Sequence, residues 1–380
     1  MRFRTGRFLT AVAGGAAAVM LAAPPAVADS IRDRQWHLAY LNVAAAQAQS
    51  QGEGVVVAVV DSGVNGGHPD LAGNVLPGVD VSGAGAPDGQ TDAEGHGTAM
   101  ASLIAGHGHG NGDGVLGIAP RAKIYPIRDA PGATVTPEFA AAGIEAAVRS
   151  GAKVISISEG GSDDLRMRAA VQSALAADIV VVAAMGNKPE KMLPDFPATY
   201  DSVVAVGATD QNGNVASISV TGSPMVLSAP GARIVSADKT GYAVGDGTSA
   251  STAIVAGAAA LVRSKYPNLS AKEVVHRLTA TATDKGPPGR DPQYGYGVLN
   301  LVGALTADVP PAAPSTGPTR TPGPAPATTG PTNAAAAGRG KSTGSGSTIV
   351  IIAVSAVVVL AAAGVVGWIL LRRRGQPPVA

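Results

Sequence analysis

The stretch that decides the fold runs from residue 152 to residue 187 and reads AKVISISEGGSDDLRMRAAVQSALAADIVVVAAMGN. Two short apolar runs, 152–158 and 178–187, flank a segment with helical spacing at 163–177. Near-continuous apolar, β-branched runs of this length are typical of strands that are buried on both faces, and such strands occur in parallel sheets. The stretch therefore predicts a strand, a crossover helix and a second strand.

The same alternation of strands and helices continues in both directions along the chain. Further strands are predicted at 54–61, 123–128 and 201–209, and further helices at 95–106, 136–151, 248–266 and 270–282. This pattern predicts an α/β fold with a mostly parallel central sheet covered by helices on both faces. Because ligands on such sheets bind beyond the carboxyl ends of the strands, the functional residues are expected just after strands and at helix starts.

Three residues with complementary chemistry occupy such positions. Asp61 ends the predicted strand 54–61, His96 begins a helix between two glycines, and Ser249 opens the helix 248–266. Each alone could be a turn or cap residue. Together they offer a serine nucleophile, an imidazole base and a carboxylate that orients the base, as acyl transfer requires. The histidines without this placement are His37, His68, His107, His109 and His276.

Stabilisation of the oxyanion needs hydrogen-bond donors near the nucleophile. The backbone N–H of Ser249 at a helix start is one candidate. The carboxamide of Asn187, at the end of the strand 178–187, is the other, although Gly-Asn is also an ordinary turn sequence. Glycines are expected to let the backbone approach closely around the three residues; they are Gly95, Gly97 and Gly247.

Five sequence motifs resemble those of the subtilisin-type (S8) serine peptidases. In chain order they are VVDSGV, HPDLAGNV, GHGTAMASLIAG, AAMGN and GTSASTAIVAGAAAL. The resemblance covers nearly all of residues 50–305. It implies a three-layer subtilisin-like fold and serine endopeptidase activity. By the same resemblance Asp61, His96 and Ser249 form the catalytic triad, and Asn187 and Ser249 form the oxyanion hole.

The resemblance also implies that the segment ISISEGG (155–161) pairs with the substrate backbone as an added strand. Ser158, Glu159 and Gly160 would then line specificity pockets. Glu159 stands where the family commonly has an apolar residue, and its carboxylate either favours a basic substrate side chain or faces solvent. Ala250 and Ala253 replace a bulky residue and a proline, which predicts more space behind Ser249 and an altered first helical turn.

The two ends of the chain predict export and anchoring. Arginines precede an apolar run and an Ala-x-Ala site near the N-terminus, as in secretory signal peptides. An uncharged run followed by three arginines near the C-terminus is long enough to span a bilayer, with the arginines in the cytoplasm. The predicted divisions are a signal peptide (1–28), an N-terminal extension (29–50), the peptidase domain (51–306), a disordered Pro/Ala/Thr/Gly-rich tether (307–347), a transmembrane helix (348–371) and a cytoplasmic tail (372–380).

Composition excludes several kinds of site. The chain has no cysteine, so disulfides, thiolate metal sites and thiol catalysis are excluded. Of its 28 basic residues, six fall in the predicted signal peptide and tail, whereas all 27 acidic residues lie in the predicted exported part. This mildly acidic surface argues against nucleic acid as a partner. No cofactor is expected; structural calcium is a possibility for NGDG (111–114) and DQNGN (210–214), which are also ordinary turns.

The order of these segments is similar to that of the mycosins, the membrane-anchored proteases of type VII secretion in actinobacteria. The leading hypothesis is a single-pass cell-membrane protein whose extracytoplasmic domain cleaves exported proteins through an acyl-enzyme. Its partners would be protein or peptide substrates, the membrane and a type VII secretion complex. The alternative is a structural component of a secretion complex whose protease activity is weak or dispensable.

Overall fold

The computed structural model describes residues 30–83, 85, 87–110, 112–129 and 136–311. Seven strands form one sheet: β1 (Val56–Asp61), β2 (Val79–Asp80), β5 (Lys123–Arg128), β6 (Val154–Ile157), β7 (Val180–Ala184), β8 (Val204–Thr209) and β9 (Leu227–Pro230). Their order in the sheet is β2-β5-β1-β6-β7-β8-β9, and the six neighbouring pairs are all parallel. The mostly parallel sheet predicted from the sequence is confirmed.

The sheet is buried on both faces because its strands are apolar on both sides. In β1, Val57 and Val59 belong to one hydrophobic cluster, while Ala58 and Val60 belong to the cluster on the other face. Successive strand residues point to opposite faces, so one apolar run supplies two cores. The helices are α1 (Ser30–Asp33), α2 (Trp36–Tyr40), α3 (Val43–Gln47), α4 (His96–Ala105), α5 (Pro137–Arg149), α6 (Leu165–Ala176), α7 (Thr248–Lys265), α8 (Ala271–Ala280) and α9 (Leu301–Thr306).

Helices cover both faces of the sheet, which makes three layers. Helices α4, α7 and α8 contribute to the first hydrophobic cluster, and α5 and α6 contribute to the second. Helix α7 is buried at every position from Thr248 to Arg263. Because small residues fill most of this helix, it packs closely against the sheet, and its first turn is held in a defined place.

Two antiparallel hairpins and the N-terminal extension complete the domain. The hairpins are β3 (His107–His109) with β4 (Asp113–Leu116), and β10 (Ile234–Ala237) with β11 (Tyr242–Gly245). The extension forms α1 to α3 and is bonded to the domain: the carboxamide of Gln35 exchanges two hydrogen bonds with the backbone of Leu116, at 2.9 and 3.1 Å. It therefore packs as part of the described fold.

The predicted signal peptide, transmembrane helix and cytoplasmic tail, and nearly all of the predicted tether, lie outside the described residues. Within the part of the chain that the structure describes, no helix combines the length and the apolar character needed to cross a membrane.

Candidate active site

Asp61 and His96 form a close pair at the carboxyl end of β1. The Nδ1 atom of His96 lies 2.7 Å from Oδ1 of Asp61, which is a hydrogen-bonding distance. The Asp61 side chain is fully buried, whereas 38% of the His96 side chain is exposed. A buried carboxylate on Nδ1 leaves the other ring nitrogen to exchange a proton with a reactant.

The start of α4 is built around Asp92, which holds His96 in place. One Asp92 oxygen accepts hydrogen bonds from the Ser62 hydroxyl at 2.9 Å and the Gly95 N–H at 2.8 Å; the other accepts from the N–H of Thr98 at 2.9 Å. A carboxylate here satisfies unpaired N–H groups of the first helical turn and interacts favourably with the helix dipole. Asp92 therefore fixes the turn from which the imidazole projects.

The glycines on either side of His96 behave as the sequence predicted. Gly95 has φ 90°, a left-handed conformation that residues with a side chain rarely adopt. A Cβ atom on Gly97 would run into the backbone oxygen of Gly63. Close packing of the helix start against the chain that follows β1 thus depends on Gly97, and the turn into the helix depends on Gly95.

Ser249 lies in the first turn of α7 and is 8% exposed. Its hydroxyl donates a hydrogen bond to the backbone oxygen of Ser158, with the oxygens 3.2 Å apart. Within the described residues no hydrogen bond joins Ser249 to His96. Both side chains nevertheless line one cavity of about 380 Å³, so the three predicted residues are brought to one place with the serine hydroxyl turned towards β6.

Asn187 also lines this cavity, and its carboxamide has a defined orientation. Its Oδ1 accepts hydrogen bonds from the backbone N–H of Thr248 at 2.9 Å and from the Thr248 hydroxyl at 3.0 Å. Since a backbone N–H can only donate, the bonded atom must be the oxygen. The amide nitrogen is left as a donor beside the first turn of α7.

Gly247 differs from the expectation of a forced close approach. Its φ of 173° is ordinary extended backbone. A Cβ atom there would lie 3.5 Å from Nδ2 of Asn187, a normal van der Waals contact. A side chain at this position would therefore fit, but it would cover the donor nitrogen of Asn187.

The alanines after Ser249 leave the helix intact. Ala253 is fully buried within a helix that runs unbroken from Thr248, so the missing proline has not shortened the first turn. Ala250 is one of the residues that line the cavity. Its small side chain is consistent with the extra space that the sequence predicts behind Ser249.

The three predicted substrate-contacting residues follow β6 and have different surroundings. The backbone oxygen of Ser158 holds the Ser249 hydroxyl, and a Cβ on Gly160 would meet the Asp195 side chain at 2.7 Å. An oxygen of Glu159 lies within 4.8 Å of ligand atoms of both Asp61 and His96. The Glu159 carboxyl group thus meets neither expectation fully, because it is turned towards the Asp61–His96 pair.

The carboxylates around His96 change its proton affinity. Asp61, first through its charge and also through its hydrogen bond, raises the pKa of His96 to about 9, against the opposing effect of burial; Glu159 and Asp92 add to the rise. Burial, together with the charge of Asp61, raises the pKa of Glu159 to about 8. The site therefore favours an imidazolium and a neutral Glu159 near neutral pH.

The grouping of Asp61, His96 and Glu159 also has to be considered as a metal site, because one ligand atom from each lies within 4.8 Å of the others. Its imidazole Nδ1 is already bonded to Asp61, and we interpret the cluster as a proton-sharing network. The calcium candidate at 210–214 folds as a turn in which Oδ1 of Asp210 accepts from the N–H groups of Asn212 and Asn214, both at 2.9 Å. The candidate at 111–114 includes a residue outside the described ranges.

Sequence reasoning missed Asp92, Thr248 and Asp129. Asp92 could have been predicted, since an aspartate just before a predicted helix start is typical of a residue that caps the helix. Thr248 could not have been predicted, because only the folded chain brings it to Asn187. Asp129, just after β5, is fully buried, and both of its carboxylate oxygens are without a hydrogen-bond partner among the described residues.

Comparisons with known proteins identify the family of this chain. A family model described as the subtilase family, peptidase S8, matches residues 52–297. Subtilisin DY of Bacillus licheniformis is 40% identical over 269 residues, which cover 68% of this chain and 93% of that protein.

Solved structures of two secretion proteases are also similar. MycP1 from the ESX-1 type VII secretion system superposes with a TM-score of 0.67 at 30% identity, covering 77% of this chain and 90% of that one. The MycP3 protease from the type VII (ESX-3) system gives a TM-score of 0.64 at 33% identity, covering 72% and 88% respectively. The chain belongs to the subtilase family of serine endopeptidases, and its structural relatives include the mycosins.

Proposed function

We propose that this protein is a membrane-anchored, extracytoplasmic serine endopeptidase that cleaves exported proteins in association with type VII secretion. The single observation that carries the peptidase proposal is the hydrogen-bonding distance of 2.7 Å between the buried Asp61 carboxylate and His96, on a cavity that Ser249 also lines. The similarity to MycP1 and MycP3, which are described as proteases of type VII secretion systems, supports the secretion context.

In the proposed reaction the Ser249 hydroxyl rotates from the Ser158 carbonyl towards His96 and attacks the carbonyl carbon of the substrate. The neutral imidazole takes the hydroxyl proton, and Asp61 stabilises the imidazolium that forms. The imidazolium then protonates the leaving amine, which gives an acyl-enzyme on Ser249. Water, activated by the same imidazole, hydrolyses the acyl-enzyme.

Two donors would stabilise the oxyanion during each attack. One is the Nδ2 atom of Asn187, whose orientation is determined by the two hydrogen bonds that its oxygen accepts from Thr248. The other is the backbone N–H of Ser249 at the positive end of α7. A pre-oriented donor of this kind is worth about 10² to 10³ in rate, a general value that was measured on a subtilisin.

The substrate is proposed to lie along the segment after β6, where Ser158, Glu159 and Gly160 stand. The backbone there would pair with an extended peptide. The reaction needs no cofactor, and a structural calcium ion stays an unassigned proposal. The apolar segment 348–371 is proposed as the anchor, with the peptidase domain outside the membrane and the tail in the cytoplasm.

One observation favours a second candidate, a structural component of a secretion complex with weak or dispensable activity. The Ser249 hydroxyl is bonded to the Ser158 carbonyl oxygen, so the resting arrangement is not the one that attacks. If this hydrogen bond persists when substrate is bound, peptide hydrolysis is slow. The protein would then serve the secretion complex as a structural component.

Labelling with a fluorophosphonate probe tests the proposal directly. The full-length protein should take up the probe covalently at Ser249, and Ser249→Ala should not. Complementation with Ser249→Ala then separates the two candidates: lost secretion indicates that proteolysis is required, and normal secretion indicates the structural role. Absence of labelling in the wild type would contradict the peptidase proposal.

A further inference from the structure

The carboxyl group of Glu159 has no part in the peptidase mechanism described above. It follows Ser158 at the end of β6, and one of its oxygens is within 4.8 Å of ligand atoms of Asp61 and of His96. Its Oε2 is buried and lacks a hydrogen-bond partner among the described residues. Because an unpaired buried carboxylate is unfavourable, this side chain must interact with its neighbours mainly through its charge and its proton.

The charged groups that interact electrostatically with Glu159 include Asp61, Asp92, Glu94 and His96. Asp61 and Asp92 also face the imidazole. Among these groups His96 alone can carry a positive charge. An ionised Glu159 is therefore repelled by three carboxylates and attracted by one imidazolium, so its electrostatic effect falls on His96.

Asp129 adds to this acidic environment from the end of β5. Its burial, together with the charges of Glu159 and Asp61, keeps its pKa well above the usual value. Its Cβ would lie 3.6 Å from a Cβ built on Gly143 of α5, so the carboxyl group is enclosed between the sheet and that helix. Asp129 therefore adds a further acidic group to the surroundings of Glu159 and no positive charge.

We infer that Glu159 is a positioning residue for catalysis, which acts as a second anionic neighbour of the His96 imidazole and moves the uptake of the Ser249 proton to alkaline pH. As pH rises, Glu159 loses its proton and becomes an anion beside the imidazolium. The imidazolium is then stabilised further and keeps its own proton to a higher pH. The consequence for turnover depends on the proposed peptidase function, whereas the effect on His96 does not.

The effect has a definite sign. A carboxylate within about 4–6 Å of an imidazole raises the pKa of that imidazole by about one unit or more. Replacing Glu159 by Gln keeps the size of the side chain and removes the charge. His96 should then lose its proton at lower pH. Between about pH 8 and pH 9, where Glu159 is ionised in the wild type, the fraction of neutral imidazole should increase by up to about tenfold.

Glu53→Gln is the matched control. It makes the same chemical change at the opposite end of β1, where Glu53 forms an exposed ion pair with Arg121 at 3.0 Å. Glu53 stands eight positions before Asp61 in the sequence, a distance of roughly 20 Å or more along an extended chain. A general effect of lost negative charge would appear in both variants, but an effect of the contact with His96 would appear only in Glu159→Gln.

The deciding measurement is an NMR titration of isotope-labelled histidine side chains in the full-length protein, in a Ser249→Ala background that cannot digest itself. Comparison with His96→Gln assigns the His96 signal. We expect the His96 midpoint to fall by about one pH unit in Glu159→Gln and to stay unchanged in Glu53→Gln. An unchanged midpoint in Glu159→Gln would overturn the inference, even if the protein proved to have no peptidase activity.

Kinetics with the active chain give an independent readout. The acid limb of kcat/KM should move to lower pH by the same amount in Glu159→Gln. The alternative is that Glu159 binds a basic substrate side chain. In that case KM for peptides with Arg or Lys near the scissile bond would rise while the acid limb stayed in place, and the inference would be wrong.

Discussion

Two histidine–aspartate pairs in this molecule have almost the same geometry and different surroundings. His96 and Asp61 are 2.7 Å apart, with the histidine side chain 38% exposed and the aspartate fully buried. His109 and Asp70 are 2.6 Å apart, with values of 42% and zero. A short bond from Nδ1 of a half-exposed imidazole to a buried carboxylate is therefore not by itself the mark of a catalytic site.

The difference lies in what else each aspartate binds. The second oxygen of Asp70 accepts a hydrogen bond from the N–H of Val115 at 2.7 Å, so this carboxylate ties the β3–β4 hairpin together. The second oxygen of Asp61 has no hydrogen-bond partner among the described residues. Both oxygens of Asp70 are therefore bonded to residues of the β3–β4 hairpin. In Asp61, the oxygen that binds His96 also accepts hydrogen bonds from the N–H and the hydroxyl of Ser62, at 2.8 and 3.3 Å, so the hydrogen bonds of this carboxylate are confined to one oxygen.

Replacing each of the two histidines by alanine should give the largest difference in activity between the two pairs. His96→Ala removes the general base, and kcat for peptide hydrolysis should fall by about 10⁶, the size of effect known for serine triads. His109→Ala should change kcat by less than about threefold, because it only removes a contact of the hairpin. The measurement is hydrolysis of a fluorogenic peptide by the full-length protein. Equal losses in the two variants would show that the structural difference between the pairs has no catalytic meaning.

The paired aspartates allow a finer test. Asp61→Asn keeps the shape of the side chain but favours the wrong imidazole tautomer, and kcat should fall by about 10⁴. Asp70→Asn should leave kcat nearly unchanged and lower the free energy of unfolding by about 1–3 kcal/mol, because charge-assisted hydrogen bonds are weakened. Kinetics and urea unfolding of both variants measure the two effects. A large loss of activity in Asp70→Asn with normal stability would contradict this division of roles.

Much of the scaffold could be predicted from the sequence because long apolar runs and helical spacing are strong local signals. The predicted strand 123–128 agrees with β5 at both ends, and α7 begins at Thr248 as predicted. The strands β2 and β9 and the two hairpins were missed, since they are short and lie among glycines and prolines, where periodicity cannot be measured.

The candidate site could be predicted only as far as local position allowed. Asp61, His96 and Ser249 follow strands or start helices, so their convergence on one edge follows from the topology of a parallel sheet. The direction of Glu159 could not be predicted, because a side chain beyond the last strand residue depends on the turn that follows. The same holds for Asp129, whose sequence neighbours give no sign that it is buried near His96.

A third histidine, His37 in α2, extends the comparison to an imidazole without any carboxylate partner. Its side chain is fully buried, and neither ring nitrogen has a hydrogen-bond partner among the described residues. Burial alone lowers the pKa of His37 to about 4. The pKa of an imidazole in this molecule thus depends on whether a carboxylate stands beside it: burial alone lowers the pKa of His37, whereas the charge of Asp61 raises the pKa of His96 to about 9.

His37 gives the smallest of the expected effects, and it concerns stability instead of activity. Below pH 6.5 the unfolded chain protonates this histidine, while the folded chain does not until about pH 4. The unfolded state binds more protons in this window, so stability is lost as pH falls through it. His37→Phe removes that loss and should raise the free energy of unfolding at pH 5, relative to pH 8, by about 2 kcal/mol. Urea unfolding at the two pH values measures this difference. His276→Phe, on the half-buried surface of α8, is the control; an equal gain in that variant, or none in His37→Phe, would mean that His37 is not held neutral by burial.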